Sequence, residues 1–288
     1  MFDTVIEMLS YPFMTRAFLV GSLVALCSAL LGVSLVLKRY SMIGDGLSHV
    51  GFGAMAIAAA MNAAPLTVAI PVVIVAAILL LRISGNAKIK GDAAIALIST
   101  TSLAIGVMVI SLTTGMNTDV YNYMFGSILA MSRADVILSA ILSVMSAEDV
   151  KLSLVLSVFV LILFIVFYHK IFAITFDETF ARATGVKAGV YNTLIAVLTA
   201  VTIVLGMRMM GALLISSLII FPALTSMRVC RTFKSVIINA AVISVVCLIA
   251  GVTLSYVAAT PAGASVVLAN LVMMVLYTIV GAVKNHMR

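Results

Sequence analysis

The chain consists largely of long apolar runs that are separated by short polar segments. A helix needs about 20 apolar residues to cross the hydrocarbon core of a bilayer, and nine runs approach that length. They lie near residues 17–37, 45–62, 65–82, 93–113, 150–168, 188–206, 209–227, 235–257 and 263–283. The two runs between Ala188 and Met227 are interrupted only by residues 206–211, so one of them is expected to be short or broken. The pattern predicts an all-α, polytopic transmembrane bundle of about eight to nine spans.

Composition supports a membrane protein and excludes an ordinary soluble domain. Hydrophobic residues make up 64% of the 288 residues and charged residues only 9%, against about a quarter in soluble domains. The mean hydropathy is +1.29. The formal net charge of +7 does not indicate a nucleic-acid partner, because the basic residues mark the ends of apolar runs and form no basic face.

The basic residues predict the orientation of the bundle. Five basic clusters fall at every second junction: Lys38-Arg39; Arg82 with Lys88 and Lys90; His169-Lys170 with Arg182 and Lys187; Arg228 with Arg231 and Lys234; and Lys284 with Arg288. The alternate junctions, around Asn62, residues 113–119 and residues 260–261, carry no Lys or Arg. Cytoplasmic loops are enriched in Lys and Arg, so the N-terminus is predicted to be outside and the C-terminus in the cytoplasm.

Two segments fit no simple span. Residues 1–15 contain Asp3 and Glu7 and lack the features of a cleaved secretory signal, so a retained interfacial lead-in is expected. Residues 128–153 contain a short duplication at an offset of 14, and the region 120–150 is expected to form short helices or a re-entrant segment. Three cysteines without C-x-x-C spacing are expected to be core residues rather than disulfides or zinc ligands: Cys27, Cys230 and Cys247.

One carboxylate and one imidazole stand four residues apart at the start of an apolar run. Asp45 and His49 would share a helix face, close enough for one metal ion to bridge them. Ionisable groups in spans usually face a cavity, a partner or a transported ion. Two structural alternatives have comparable weight on composition alone: Asp45 as a helix N-cap, and His49 as a polar residue that donates to a neighbouring carbonyl.

Two further segments lie on the predicted cytoplasmic side. Residues 176–185 form a polar, helix-compatible stretch that ends at Gly185, and it is either a solvated connecting helix or a docking surface. The apolar segment 211–223 is expected to stop at Pro222 and to be followed by the basic stretch 224–234. That proline either marks the end of a span or aims a short cytoplasmic helix at a partner.

These motifs together resemble the membrane subunits of bacterial ABC transporters for zinc and manganese, including the zinc-uptake permease. The resemblance rests on Lys38-Arg39 before Asp45-Gly-Leu-Ser-His49, Phe176-Asp-Glu with Ala181 and Gly185, Gly211-Ala-Leu-Leu with Phe221-Pro-Ala223, and Pro261-Ala-Gly-Ala264. It implies a homodimeric permease in the bacterial cytoplasmic membrane. It also implies two copies of a cytoplasmic ABC ATPase and an extracellular metal-binding protein as partners, besides membrane lipid.

The resemblance implies roles for particular residues within a single permease domain, 1–288. Asp45 and His49 are expected to ligate the transported Zn²⁺ or Mn²⁺, with no permanently bound cofactor, and the turn at Thr260 resembles the zinc branch more. Residues 171–187 and 222–235 are expected to be the coupling segments. The expected coupling residues are Phe176, Asp177, Glu178, Ala181, Gly185, Pro222, Arg228 and Phe233, with Phe176 and Phe233 as anchors.

The sequence leaves functions of other classes open. A secondary transporter coupled to ions could also use an intramembrane carboxylate and histidine, although no inverted repeat is evident. An intramembrane metalloprotease would need a motif such as His-Glu-x-x-His, and the other histidines, His169 and His286, lie at predicted cytoplasmic ends. The chain contains no Gly-x-x-x-x-Gly-Lys-Ser/Thr phosphate loop, so it is expected to be a transport subunit that depends on a separate ATPase.

Overall fold

The computed structural model describes residues 12–85, 91–113, 147–258 and 260–286, and the regular structure there is helical throughout. Eleven helices follow in chain order within these ranges. They are α1 (Pro12–Leu37), α2 (Ile43–Ala60), α3 (Pro65–Gly85), α4 (Gly91–Leu112), α5 (Ala147–Val166), α6 (Tyr168–Phe176), α7 (Glu178–Ala183), α8 (Ala188–Met210), α9 (Ala212–Val229), α10 (Phe233–Ala258) and α11 (Ala262–His286).

Eight of these helices are long and apolar enough to cross a membrane on their own. They are α1, α2, α3, α4, α8, α9, α10 and α11. Helices α5 and α6 are bent by 67° at Phe167 and raise the number to nine if they count as one broken span. Each of the nine predicted runs corresponds to a helix, so the predicted bundle of eight to nine spans is confirmed.

The break between α8 and α9 lies at Gly211. Its backbone has φ 87° and ψ 158°, a conformation that is essentially restricted to glycine because it has no Cβ. The Gly211 N–H still bonds the Met207 carbonyl at 2.8 Å, so the break leaves this donor satisfied. The ambiguous region between Ala188 and Met227 is therefore two full spans rather than one short or broken one.

The basic junctions meet at one end of the bundle. Lys38 follows α1 and bonds Asn192 in α8, while Leu81 near the end of α3 lines the same small cavity as Lys38. Phe233 at the start of α10 packs against Phe176 at the end of α6, and Gly281 in α11 lies beside the Arg228 carbonyl. This convergence agrees with the alternating Lys and Arg pattern, and by that pattern the end faces the cytoplasm.

Helix α2 lies in the centre of the bundle and is enclosed by α3, α4, α8 and α9. Glycines allow this close approach, as small residues do at helix contacts in membranes. A Cβ built on Gly53 would stand 2.7 Å from the Ser102 carbonyl oxygen in α4, and one on Gly51 would stand 2.7 Å from Met207 in α8. The packing therefore fixes which stripe of α2 remains open.

Four expectations, those for Pro222, the lead-in, the duplicated segment and Cys230, need correction or restriction. Pro222 does not end its helix, because α9 continues to Val229 and the link to α10 is only a short turn at residues 230–232. Neighbouring helices allow an internal proline in a packed membrane helix, and Pro222 is buried. Residues 12–15 of the expected lead-in are the first turn of α1.

The remainder of the lead-in and most of the duplicated segment lie outside the described residues, although residues 147–150 begin α5. Cys27 and Cys247 are buried as expected, whereas Cys230 is half-buried at the end of α9. All three cysteines are free thiols.

Candidate metal path and coupling surface

A tight turn after α1 positions the start of α2. The Tyr40 N–H bonds the Leu35 carbonyl and the Arg39 N–H bonds the Val36 carbonyl, which is the Schellman pattern for a helix end. Arg39 occupies the left-handed position with φ 63°, where glycine is the usual residue. The chain then enters α2 at Ile43, so Asp45 lies in the first turn of that helix.

Asp45 and His49 face each other on α2, as their spacing predicts. His49 Nε2 lies 3.7 Å from Asp45 Oδ2, too far for a direct hydrogen bond. The N-cap of α2 is Met42, so Asp45 does not cap the helix. In the described part of the chain His49 also donates no hydrogen bond to a carbonyl, so neither structural alternative explains the pair.

Within residues 43–56 of α2, the pair occupies the two positions that the neighbouring helices leave partly open. Residues 43–56 are buried except for Asp45 and His49, whose side chains are 43% and 23% exposed. Ser48, one residue before His49, is buried and its hydroxyl donates to the Asp45 carbonyl and approaches Ser216 in α9. The two ionisable groups therefore point away from the interior of their own protomer.

The separation of the two ligand atoms suits a shared ion. With both atoms about 2.1 Å from one metal, 3.7 Å corresponds to an angle of about 120° at the metal. A tetrahedral site would need a separation of about 3.4 Å, and an octahedral site about 3.0 Å. No cluster of three or more His, Cys, Asp or Glu ligands occurs among the described residues, so one protomer offers only this pair.

The predicted coupling stretch folds into a short, capped helix. Asp177 accepts a hydrogen bond from the Phe180 N–H at 2.9 Å and one from the Thr179 hydroxyl, which lowers the pKa of its carboxyl. Helix α7 then ends in a Schellman turn with Gly185 at φ 83°. The prediction of a helical stretch that ends at this glycine is confirmed. Ala181 is fully buried, so its role is to hold α7 against the bundle.

An aromatic cluster joins the two coupling segments. The ring of Phe233 in α10 lies 5.6 Å from that of Phe176 and 5.1 Å from that of Phe172, both in α6. Phe176 is 59% exposed and Phe180 66%, whereas Phe233 is only 6% exposed. Phe233 therefore supports the exposed rings from beneath, while its expected role as an anchor for a partner stays a prediction.

The remaining expected coupling residues also divide into accessible and buried side chains. Glu178 and Arg228 lie at the end of the bundle where the basic junctions meet, with part of their side chains accessible, while Pro222 is buried inside α9. Sequence analysis missed Phe172 and Phe180, whose aromatic spacing around Phe176 was an available signal. Asn192, which contacts Glu178, carried no local signal, and Lys38 was singled out as a basic junction and a family motif but not as a partner of Glu178.

A family model for the ABC 3 transport family matches residues 10–281 of the chain. The chain belongs to the ABC 3 transport family. Its curated relatives include the manganese transport system membrane protein MntC of Halalkalibacterium halodurans, which is 27% identical over 91% of this chain and 85% of its own length. They also include the high-affinity zinc uptake system membrane protein ZnuB of Haemophilus influenzae, 30% identical over 90% and 94%.

Two solved structures share the overall helix arrangement of this ABC 3 family member. PsaBC from Streptococcus pneumoniae in complex with Fab has a chain that matches with a TM-score of 0.80 at 25% identity, covering 96% of this chain and 94% of that one. An inward-facing putative metal-chelate type ABC transporter matches at a TM-score of 0.62 and 15% identity, covering 93% and 83%, which shows a shared fold.

Proposed function

We propose that the chain is the permease of an ATP-driven importer in the bacterial cytoplasmic membrane and that it carries a divalent metal ion, Zn²⁺ or Mn²⁺, past Asp45 and His49. The observation that carries the proposal is this carboxylate and imidazole on the open stripe of the central helix. Ionisable groups are costly in a bilayer and typically mark the path of an ion. Relatives whose names specify manganese and zinc transport support the same class of substrate.

A second copy of the chain would complete the site. Two ligands from one protomer leave a metal weakly held, and two protomers related by a two-fold axis would bring four side chains to the axis. A closed four-ligand zinc site would trap the ion, so transport favours a site that assembles and disperses as the protomers move. In this proposal the open stripe of α2 faces the two-fold axis.

We favour zinc as the metal, because imidazole is a good zinc ligand and the turn at Thr260 resembles the zinc branch of the family. Carboxylate oxygen suits both zinc and the harder manganese. The 3.7 Å separation of His49 Nε2 and Asp45 Oδ2 is compatible with either ion. Competition between Zn²⁺ and Mn²⁺ for uptake measures this preference.

The aromatic cluster and α7 form the surface that meets the ATPase in this proposal. The surface combines residues 171–187 with the start of α10, which lies within the second expected coupling segment, 222–235, and it exposes Phe176 and Phe180 for contact. Interfaces concentrate their binding energy in a few buried aromatic or Arg anchors. The whole chain then works as one permease domain, while its partners supply ATP hydrolysis and capture of the metal outside the cell.

Uptake by single-site variants tests the proposal. Asp45→Ala and His49→Ala should abolish metal accumulation in cells that lack other importers, while the amount of permease in the membrane and its recovery with the ATPase stay at wild-type levels. Asp92→Ala is the matched control, because Asp92 is another carboxylate in the first turn of a span but is exposed on α4. Wild-type uptake by both single variants would refute the metal path, and uptake that persists without the ATPase would indicate an ion-coupled secondary transporter.

A further inference from the structure

Three polar side chains form a closed junction between elements that are far apart in the sequence. Lys38 follows α1, Glu178 begins α7 and Asn192 lies in the first turns of α8. Lys38 Nζ donates a hydrogen bond to Asn192 Oδ1 and lies 3.8 Å from Glu178 Oε2. The Asn192 amide donates to the same Glu178 oxygen at 3.0 Å, so each of the three groups contacts the other two.

The junction is partly enclosed. The side chain of Lys38 is 10% exposed and that of Glu178 34%. Burial lowers the pKa of the Lys38 ammonium, and the charge of Glu178 offsets part of that effect. Burial opposes the charged form of Glu178, but hydrogen bonds from Asn192 and Arg182, together with the charges of Lys38 and Arg182, outweigh it and lower the pKa of the carboxyl. Removing one partner of an enclosed pair is far more disruptive than removing one partner of an exposed pair.

Each end of the junction belongs to a segment with a proposed role. Glu178 is the first residue of α7, the helix next to the exposed rings of Phe176 and Phe180. Lys38 begins the turn that ends α1 and leads into α2 at Ile43. The junction is therefore a direct contact between the ATPase-facing helix and the turn that precedes the metal pair.

A cavity of about 10 Å³ lies beneath the junction and is lined by Lys38, Asn192 and Leu47 of α2, so about one water would fit there. Leu47 is fully buried and lies between Asp45 and His49 in the helix. The direct link from Lys38 to α2 is the backbone of the short turn at residues 38–42, which bonds back to the Leu35 and Val36 carbonyls.

We propose that Glu178, Lys38 and Asn192 act as positioning residues that transmit movement of α7, when the ATPase closes, to the turn before α2 and so to Asp45 and His49. The proposal rests on the proposed function of the metal pair and of α7. It adds that coupling depends on the ion pair between Lys38 and Glu178, which is a contact within the permease itself.

Separating transport from hydrolysis tests this contact. Lys38→Met and Glu178→Gln would be compared with wild type as complexes with the ATPase in proteoliposomes, using Zn²⁺ and ATP. We expect zinc transported per ATP hydrolysed to fall about fivefold or more in both variants, as at the lower end of measured allosteric couplings. Recovery of the ATPase should be unchanged in Lys38→Met, because the side chain of Lys38 is only 10% exposed. Lys284→Met is the control, since Lys284 is an exposed lysine near the end of α11 that lies outside both coupling segments and should keep the wild-type ratio.

Charge exchange separates a specific pairing from general damage. In an Arg182→Gln background, which removes the other cation beside Glu178, the double variant Lys38→Glu with Glu178→Lys should recover a substantial part of the transport ratio that each single exchange loses, since the attraction is restored. Unchanged ratios in Lys38→Met and Glu178→Gln would overturn the proposal, as would single exchanges that are no worse than the double one. Asp45→Ala distinguishes the proposed metal path from the proposed role of the junction. If Asp45→Ala transports zinc normally while Lys38→Met hydrolyses ATP without transport, the metal path is refuted and the coupling role of the junction is retained.

Discussion

Replacing Gly53 by alanine is expected to push α2 away from α4 and to displace the helix that carries Asp45 and His49. The new Cβ would lie 2.7 Å from the Ser102 carbonyl oxygen, whereas ordinary contacts of a Cβ begin at 3.4 Å. The helices must therefore separate by about 0.7 Å locally, because the obstacle is backbone and cannot rotate away. Gly106 makes the reverse contact, with its own Cβ position 3.1 Å from the Gly53 Cα, so no adjacent space is available.

The magnitude follows from overpacking in a close-packed contact. Inserting one methyl group where nothing can yield costs about 1–3 kcal/mol. Thermal unfolding of the purified permease in detergent should occur a few degrees lower in Gly53→Ala, and zinc uptake per folded molecule should also fall. Gly189→Ala is the matched control in α8, where a Cβ meets nothing within 4 Å and an alanine should be neutral or slightly stabilising. Equal melting and equal uptake for Gly53→Ala and wild type would show that α2 and α4 are not packed as described.

Three other changes test the cytoplasmic end and the metal pair. Phe176→Asp should release the ATPase during purification while Phe176→Leu retains it, because an exposed aromatic anchor tolerates an apolar replacement but not a charge; equal retention by both would exclude Phe176 as an anchor. Asp177→Ala should increase hydrogen exchange in α7 and Asp177→Asn should not. The pKa of Asp177 is lowered in the folded protein, so the stability that its cap contributes is fully present above the pKa of the unfolded state. That stability is lost as the pH falls through the pKa of the folded state. Hydrogen-exchange rates in α7 that do not change on acidification would contradict the cap. Acidification should weaken zinc uptake more in wild type than in an active His49→Asn variant, because imidazole must be neutral to bind metal, and identical pH profiles would make His49 structural.

The sequence was sufficient for features that depend on neighbours along the chain. The lengths of the apolar runs predicted the spans, and the i,i+4 spacing placed Asp45 and His49 together on one helix face. Gly185 was predicted to end α7 because the residue that follows a helix often adopts the left-handed backbone conformation, where glycine is the usual residue. Each of these properties is local, so an isolated segment already contains the necessary information.

Features that depend on helix neighbours were not predictable in the same way. Lys38 and Glu178 are 140 residues apart in the numbering, and only the packing of α1 against α8 and α6 brings them together. In a bilayer both faces of a helix can be apolar, so hydropathy could not distinguish exposed Phe176 from buried Phe233. Pro222 was expected to end its helix, and the structure shows that tertiary packing accommodates it inside α9.

Direct binding of zinc to the purified permease measures the central claim most closely. Equilibrium dialysis with radioactive zinc, combined with X-ray absorption at the zinc edge, would count the ions and identify the ligand atoms in wild type and in Asp45→Ala, His49→Ala and Asp92→Ala. The account predicts one ion per pair of protomers, bound through nitrogen and oxygen, with binding lost in the first two variants and retained in the third. Zinc bound with unchanged affinity and ligands in the double variant Asp45→Ala with His49→Ala would contradict it.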